Sequence, residues 1–241
     1  MSLSTNRCCG ILLPISSLSA DGESGYGDLG PQAHRFIQFL SEAGQKYWQM
    51  LPVNPAKAGN SPYSSISAFA GNPSFISLEF AAEEGFLEYS VISEIKGLSA
   101  LEAENKKREI LRKAAARFQK DSPKGSWEEF HLFLDQESFW INDYAWFCAL
   151  KERLTQKPWS DWPEEIRKRN FRFWERGLLH FLGETSFYYQ FENFLMSPDI
   201  GAVLGYENRN VSNERYLFFL AGSFQALPLS VEKKLFELII E

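Results

Sequence analysis

Two short apolar runs, Cys9-Gly10-Ile11-Leu12-Leu13-Pro14 and Tyr47-Trp48-Gln49-Met50-Leu51-Pro52-Val53, decide the predicted fold together with the segment between them. The first run is bounded by turn-forming residues, as is typical of a strand that is buried on both faces. Pro31 begins a helix at the position where its missing N–H is harmless, and Gly44 suits the left-handed residue that follows a helix. A strand, a crossover helix and a strand in so few residues predict parallel neighbours in one sheet, and therefore an α/β fold.

The segment between the strands supports a second, competing interpretation. Its helix is predicted to be amphipathic, with an apolar face of Phe36, Ile37, Leu40 and Ala43. The loop before the helix has the spacing Gly25-x-Gly27-x-x-Gly30, which could hold the phosphates of a dinucleotide but arises often by chance. Such a site also needs an acidic ribose partner at a strand end about 20 residues later. Glu42 lies inside the helix instead, so the dinucleotide interpretation is disfavoured.

The loop after the second run contains the sharpest functional pattern. It is dense in small and turn-forming residues around one tyrosine: Gly59-Asn60-Ser61-Pro62-Tyr63-Ser64-Ser65-Ile66-Ser67-Ala68-Phe69-Ala70-Gly71-Asn72-Pro73. Pro62 restricts Ser61 to extended conformations, and Tyr63 could offer a rigid flat face to the C–H groups of a sugar. The alternative is that Tyr63 only packs, since buried tyrosines with a bonded hydroxyl are common. Asn72 and Pro73 favour a turn that ends the loop.

The middle of the chain changes to helical patterning. Residues 77–176 lack regular strand alternation and predict a mostly helical insertion subdomain after a first unit at residues 1–76. A helix over residues 98–120 is predicted to bury Leu101, Ile110, Leu111, Ala114, Ala115 and Phe118. Its charged cluster is predicted to be a solvated face: Lys106, Lys107, Arg108 and Glu109. A second helix over residues 139–154 is predicted to bury Trp140, Tyr144, Phe147, Cys148 and Leu154.

Composition excludes several classes of function. The 241 residues are 44% apolar and 23% charged, with a formal net charge of −6, which indicates a substantial core. A negative chain disfavours binding to nucleic acid or to an anionic membrane, since both attract clustered Lys and Arg. Aromatic residues make up 15% of the chain, and most are expected in the core. Four tryptophans leave two interpretations open, a carbohydrate platform or, at helical spacing, a core: Trp140, Trp146, Trp159 and Trp162.

Neither a metal site nor a disulfide framework is predicted. The histidines lie on separate elements without the spacing of paired ligands: His34, His131 and His180. The cysteines form no even framework and are expected to be reduced thiols of a cytoplasmic protein: Cys8, Cys9 and Cys148. The acidic group of Asp161, Glu164 and Glu165 favours a helix start over catalysis. No segment reaches the ~18 apolar residues that span a bilayer, so no membrane partner is expected.

Several motifs together resemble one known family, the amylomaltases or 4-α-glucanotransferases. The motifs are Gly10-Ile11-Leu12-Leu13-Pro14-Ile15-Ser16-Ser17-Leu18, then Gly25-Tyr26-Gly27-Asp28-Leu29-Gly30, then Trp48-Gln49-Met50-Leu51-Pro52 and the tyrosine loop. Residues 141–152 and Trp159-Ser160-Asp161-Trp162-Pro163 resemble the family as well. The resemblance runs from about residue 7 to about residue 194.

The resemblance implies a fold, a substrate class and two binding residues. The fold is the N-terminal portion of a (β/α)8 barrel with a helical insertion, the barrel being incomplete. Loops after the barrel strands carry the substrate site, so the segment at Gly27 and Asp28 and the tyrosine loop fall on the functional rim. By resemblance, Tyr63 stacks on the glucose ring at the cleavage point and Ser61 bonds a sugar hydroxyl. The partners are α-1,4-glucans and maltooligosaccharides, and no cofactor is required.

Catalytic carboxylates are not expected in this chain. The family's reaction is retaining transglycosylation, which needs two carboxyl groups about 5 Å apart. The family's nucleophile lies in an Arg-x-Asp-His context after a Gly-Asp-x-Pro stretch, and neither occurs in residues 181–241. The sequence therefore predicts a truncated 4-α-glucanotransferase. By resemblance its family transfers α-1,4-glucan segments between maltooligosaccharides, but the isolated chain is expected to be inactive because the catalytic carboxylates are missing.

The end of the chain departs from the family. Residues 177–241 are predicted to form a helix leading toward strand three and then a divergent tail, beginning near Met196, that a frameshifted or prematurely terminated reading frame would explain. Two alternatives from other classes stay open. One is a non-catalytic glucan-binding or regulatory protein, and the other is an all-helical interaction protein.

Overall fold

The computed structural model describes residues 9–18, 26–45, 47–57, 61–169 and 176–205, with the backbone alone at residues 176–177 and 198–205. Contacts divide the chain into two compact units, Met1–Ile110 with Leu195–Glu241 and Leu111–Phe194. The boundaries near residues 76 and 176 follow a change of sequence pattern, which is a different criterion, and they stay a prediction.

The predicted strand, crossover helix and strand are confirmed. Strand β1 (Gly10–Leu12) pairs in parallel with strand β2 (Tyr47–Gln49), and Ile11 lies opposite Trp48. The indole Nε1 of Trp48 donates to the Leu13 carbonyl at 2.8 Å. The Trp48 side chain therefore also bonds the residue that directly follows β1. Because the strands are parallel, the loops that follow them leave from the same edge of the sheet.

Strand β1 is not buried on both faces, contrary to the sequence prediction. Leu12 is 58% exposed, and Gly10 is exposed as well. The described residues give the sheet two strands, and burial of both faces requires packed layers on both sides of a sheet. Strand β2 is better covered, since Trp48 is only 1% exposed.

Helix α1 (Pro31–Glu42) has the predicted start and stop, and Gly44 follows it with a φ of 68°. Its buried stripe is Ala33, Ile37 and Leu40, which have the spacing of one helix face. Phe36 is half-buried. Ala43, predicted on the apolar face, is exposed because it is the residue after the last helical one.

The first unit continues through helix α2 (Leu78–Glu83) and a 3-10 segment (Tyr89–Ile95) to helix α3 (Ala100–Phe118). A capping box begins α3. The Ser99 amide donates to Glu102 Oε2 at 3.0 Å, and the Glu102 amide donates to Ser99 Oγ at 3.5 Å.

Helix α3 confirms the predicted helix but shifts its buried face. Leu101 is 66% exposed, whereas Ala103 and Lys107 are 4% and 7% exposed. The stripe continues through Ile110, Leu111, Ala114, Ala115 and Phe118, as predicted. The prediction of a solvated face is therefore wrong at Lys107, because the helical period that passes through Ala103 and Ile110 also passes through position 107.

The described part of the second unit is helical. It contains the end of α3, helices α4 (Ser126–Gln136), α5 (Ile141–Arg153) and α6 (Glu164–Arg167), and the first part of α7 (Arg176–Gly205). An aromatic core surrounds Phe118, whose ring lies 5.0 Å from that of Phe191 and 5.6 Å from that of Phe130. A second cluster contains Ala149, Leu150, Trp162 and Leu182.

Helix α5 confirms the helix predicted at residues 139–154, but only part of the predicted burial. Cys148 is buried, whereas Trp140, Tyr144, Phe147 and Leu154 are half-buried. Trp140 is the residue before the helix, and its indole Nε1 donates to Glu137 Oε2 at 2.6 Å. Trp140 and Leu154 flank the two ends of α5 and lie outside its buried stripe.

Helix α7 confirms a helix in the region after residue 177. The tail from residue 206 onward, on which the frameshift hypothesis largely falls, lies outside the described residues. Among the helices that the structure describes, none is both long and apolar enough to cross a bilayer.

Candidate functional site

The loop that follows β2 folds back on itself. Ala56 and Ser65 form an isolated antiparallel bridge, and the Lys57 amide donates to the Ser64 carbonyl at 2.7 Å. Backbone bonds therefore join the two arms of the loop close to its tip. We call residues 54–73 the tyrosine loop.

Asn54 anchors the base of the tyrosine loop from the interior. The residue is 2% exposed, and its Nδ2 lies 3.3 Å from the Ala68 carbonyl and 3.0 Å from the Ala70 carbonyl. The Asn72 amide donates to the Val53 carbonyl at 2.8 Å. Since a buried carbonyl that loses its donor costs free energy, these bonds restrict how far the returning arm can move.

Two serines tie the returning arm to its own backbone. Ser67 Oγ accepts from the amides of Phe69 at 3.1 Å and of Ala70 at 3.0 Å. Ser65 Oγ accepts from the Ser67 amide at 3.1 Å. Serine hydroxyls commonly bond nearby backbone groups in this way. The small residues of the loop thus provide its internal bonds.

A β-turn at the tip presents Tyr63. The Ser64 amide donates to the Ser61 carbonyl at 3.0 Å, and Pro62 occupies the second turn position, which suits its fixed φ. Tyr63 takes the third position and is 65% exposed. Ser61 is exposed as well. The structure therefore brings both predicted binding residues into one turn, and Tyr63 is not a buried packing residue in it.

A buried cation joins the loops that follow the two strands. Lys107 Nζ lies 3.0 Å from Asp28 Oδ2 and donates to the Ser74 carbonyl at 2.9 Å. Asp28 Oδ1 accepts from the Gly30 amide at 3.0 Å. Asp28 lies in the loop after β1, and Ser74 directly follows the tyrosine loop, so one ammonium group contacts both segments.

Burial also sets the protonation of two nearby side chains. The ring of Tyr26 stacks on that of Phe75 at 5.8 Å, and burial, together with the Glu104 carboxylate, raises the pKa of Tyr26. Both effects favour the neutral hydroxyl over the phenolate. Burial lowers the pKa of His34 on α1, so its imidazole is uncharged at neutral pH.

The arrangement is chemically suited to binding. It offers an exposed aromatic face and an exposed hydroxyl on a fixed loop. Asp28 is a poor nucleophile, because Lys107 and the Gly30 amide already engage its two oxygens. In the part of the chain that the structure describes, no cluster of three His, Cys, Asp or Glu side chains could hold a metal ion.

Residues 13–208 match the model of the 4-alpha-glucanotransferase family. The chain belongs to this family. The match confirms the resemblance stated from the motifs, and it continues to residue 208, beyond the point near residue 194 where the resemblance was expected to fade.

Individual relatives agree with the family match. A 4-alpha-glucanotransferase of Synechocystis sp. is 36% identical over 211 residues, which cover 84% of this chain and 41% of the relative. One from Thermus thermophilus is 40% identical over 166 residues, which cover 68% of this chain and 32% of the relative. The chain thus spans about a third to two-fifths of the length of these relatives.

Solved structures show the same fold. An amylomaltase from Streptococcus agalactiae in complex with acarbose matches with a TM-score of 0.70 and 30% identity, covering 83% of this chain and 41% of that one. An amylomaltase from Corynebacterium glutamicum matches with a TM-score of 0.62 and 18% identity, covering 82% and 28% of the two chains, and it bears on the fold alone.

The remaining predicted residues are dispersed. The three histidines lie on α1, α4 and α7: His34, His131 and His180. Glu164 and Glu165 fall in the first turn of α6, as expected of acidic residues at a helix start. Trp162 is 7% exposed and belongs to the core, whereas Trp159 is 63% exposed and does not. Asn54 and Lys107 hold the loops in place, and the sequence did not predict these roles. Their bonding partners are separated from them by 14 or more residues in the chain.

Proposed function

We propose that this chain forms a glucan-binding part of a 4-alpha-glucanotransferase, which moves α-1,4-glucan segments between maltooligosaccharides derived from starch or glycogen. In this proposal Tyr63 stacks on a glucose ring and Ser61 bonds a sugar hydroxyl. One observation carries the proposal: Tyr63 is 65% exposed on a loop whose base is fixed by buried Asn54, in a member of this family. A similar amylomaltase was solved in complex with acarbose, which supports sugar-like ligands for the family.

We also propose that β1 and β2 are the first two strands of a (β/α)8 barrel, and that residues 77–176 are a helical insertion. Two parallel strands joined by a crossover helix are the repeating unit of such a barrel. Exposed Leu12, at 58%, supports the proposal because further strands and helices would cover an apolar residue there. The tyrosine loop then lies on the rim that holds the substrate.

The 241 residues alone are proposed to bind glucan without turning it over. The Arg-x-Asp-His and Gly-Asp-x-Pro motifs do not occur in residues 181–241, and Asp28 is engaged by Lys107. A non-catalytic glucan-binding or regulatory protein is the second candidate. The absence of these two motifs from residues 181–241 favours it as well. Double displacement at carboxylates needs no cofactor.

Titration of the full chain with maltotriose and maltoheptaose tests the binding site. Tyr63→Ala is expected to weaken binding about fivefold, because an aromatic contact of this kind is worth on the order of 1 kcal/mol. Tyr63→Phe keeps the flat face and should retain most of the affinity. Ser61→Ala should weaken binding less than Tyr63→Ala. Tyr89→Ala is the matched control, since Tyr89 is a 58% exposed tyrosine outside the loop.

Two results would contradict the proposal at different points. Unchanged affinity in Tyr63→Ala would remove the binding role of the tyrosine loop. Release of glucose from maltotriose by the purified chain would show that it is an active transferase and would overturn the proposed lack of turnover.

A further inference from the structure

The second unit contains an open pocket of about 170 Å³ between α5, the 3-10 turn Trp159–Asp161 and α6. Three tryptophans line it, Trp146, Trp159 and Trp162, together with a carboxylate and two guanidinium groups from Asp143, Arg167 and Arg169. The tyrosine loop contributes no residue to its lining. A pocket that combines aromatic rings with charged groups is a candidate ligand site.

One of its aromatic residues, Trp162, belongs to the packed interior. Trp162 is 7% exposed, its Nε1 donates to the Lys157 carbonyl at 3.1 Å, and its ring lies 5.6 Å from that of Phe147. Both the ring face and the polar atom of Trp162 therefore already have partners. These contacts give the pocket a fixed floor.

Trp159 differs from Trp162 although only two residues separate them. It is 63% exposed, so most of a large indole surface contacts water. An exposed indole offers a flat apolar face and a free ring edge on which the C–H groups of a sugar ring can stack. Trp159 is thus the part of the pocket that is available to a ligand.

Hydrogen-bonding groups stand on the same pocket. Arg169 Nη1 donates to Asp143 Oδ1 at 2.9 Å, and both side chains are 61% exposed. A carboxylate accepts up to four hydrogen bonds and a guanidinium donates five, so both keep capacity for a ligand. Arg169 holds this place with a φ of 51°, in the left-handed region that non-glycine residues rarely adopt.

We propose that this pocket is a second carbohydrate site, which takes one glucose ring of an α-glucan. The ring stacks on Trp159, while Asp143 and Arg169 bond neighbouring hydroxyls. The choice of glucan rests on the proposed function. A neutral ligand is favoured over an anion because Asp143 pairs with Arg169 and the Glu164 carboxylate interacts with the charge of Arg167. The volume of about 170 Å³ lies below the roughly 300 Å³ from which pockets for drug-sized ligands begin. One ring enters, and the rest of the oligosaccharide stays outside.

Fluorine NMR on the full chain labelled with 5-fluorotryptophan tests the site directly. The Trp159 resonance is assigned by its loss in Trp159→Phe, and maltotriose is then titrated. We expect a saturable shift of this resonance in the wild type and the same shift, at the same maltotriose concentration, in Tyr63→Ala. Arg169→Gln and Asp143→Asn should weaken the response about threefold to tenfold, as expected for one or two lost hydrogen bonds.

The controls separate this site from the tyrosine loop. Phe139→Ala removes a 54% exposed aromatic side chain of the same unit outside the pocket, and it should leave the Trp159 response unchanged. Circular dichroism confirms that the substituted chains are folded. Inorganic phosphate, titrated in place of maltotriose, should produce no shift.

Each other result overturns the second site. A Trp159 resonance that does not move, while binding that depends on Tyr63 persists, removes the second site and leaves the proposed function standing. A shift that disappears in Tyr63→Ala would assign the response to the tyrosine loop. A shift produced by phosphate would make the pocket an anion site. If the Trp159 resonance does not move and no maltotriose binding that depends on Tyr63 is measured, both proposals are contradicted.

Discussion

Replacement of the buried ion pair between Lys107 and Asp28 gives the sharpest test of how the two strand-end loops are held. Asp28→Asn keeps an oxygen for the Gly30 amide but leaves an ammonium group without its counter-charge. Lys107→Met removes the charge and its bond to the Ser74 carbonyl while keeping the aliphatic stem. The double variant removes both charges.

The expected losses follow from burial. The Lys107 side chain is 9% exposed and that of Asp28 is 25% exposed. Breaking a buried pair by removing one partner costs about 3–5 kcal/mol, and partial solvent access places Asp28→Asn near the lower end. Lys107→Met should cost about 2 kcal/mol, because water can reach the remaining carboxylate. The double variant should also cost about 2 kcal/mol, well below the sum of the single losses.

Hydrogen exchange followed by mass spectrometry measures these losses locally, in peptides that cover residues 26–30 and 72–76. Lys106→Met is the matched control. Its side chain is 28% exposed and pairs with Glu94 at 2.9 Å and Glu109 at 3.1 Å, so no resolvable change is expected. The reasoning is refuted if Asp28→Asn destabilises no more than Lys106→Met, or if the losses in the double variant are additive.

Three further substitutions test other parts of the structure by urea unfolding. Gly71→Ala should cost about 1–3 kcal/mol, because an added Cβ would lie 2.4 Å from Met196 Cγ. Burial raises the pKa of the Cys148 thiol to about 12. Stability should therefore fall above the unfolded pKa of about 8.5, by up to about 1.4 kcal/mol per pH unit, as the unfolded chain releases a proton that the folded chain keeps; Cys148→Ala should reduce this slope between pH 8.5 and 10. Thr155→Gly should stabilise by up to about 1 kcal/mol, because Thr155 has a φ of 54°.

Each of these has its own control. Met196→Ala combined with Gly71→Ala should relieve part of the clash, and purely additive losses would count against it. Cys9→Ala should keep the alkaline slope, because Cys9 is exposed; a slope unchanged in Cys148→Ala would disprove the assignment. Thr155→Ala keeps the left-handed strain, so a Thr155→Gly chain no more stable than Thr155→Ala would contradict the backbone argument.

The first strand, helix and strand could be predicted because their signals are local. Pro31 and Gly44 mark the limits of α1, and apolar runs mark the strands. Burial of β1 could not be predicted in the same way, because it depends on layers that its own sequence does not specify. Leu12 is apolar and exposed for that reason.

Lys107 shows why composition can mislead. A lysine inside a charged run indicates solvent, but its position falls on the same helical stripe as Ala103 and Ile110. Its partner Asp28 lies 79 residues earlier in the chain. No local pattern could therefore reveal the pair, although the helical phase alone could have predicted the burial.

The residues of the candidate sites also differ in whether a local sequence pattern could predict them. Tyr63 and Ser61 were found through a motif, and the turn that joins them has the expected Pro62. The role of Asn54 depends on its bonds to the carbonyls of Ala68 and Ala70, which lie 14 and 16 residues later in the chain. These contacts are set by the tertiary structure and not by the local sequence. Trp159 and Trp162 have similar surroundings in sequence, yet one is 63% and the other 7% exposed.

The bonds that shape the tyrosine loop come from Asn54, Ser65, Ser67 and the backbone, and they do not pass through the phenol ring at the tip. Residue 63 can therefore be exchanged without refolding the segment that supports it. In the proposed binding role, the stacking surface then depends on a single codon, which makes this position a starting point for redesigning the proposed sugar site.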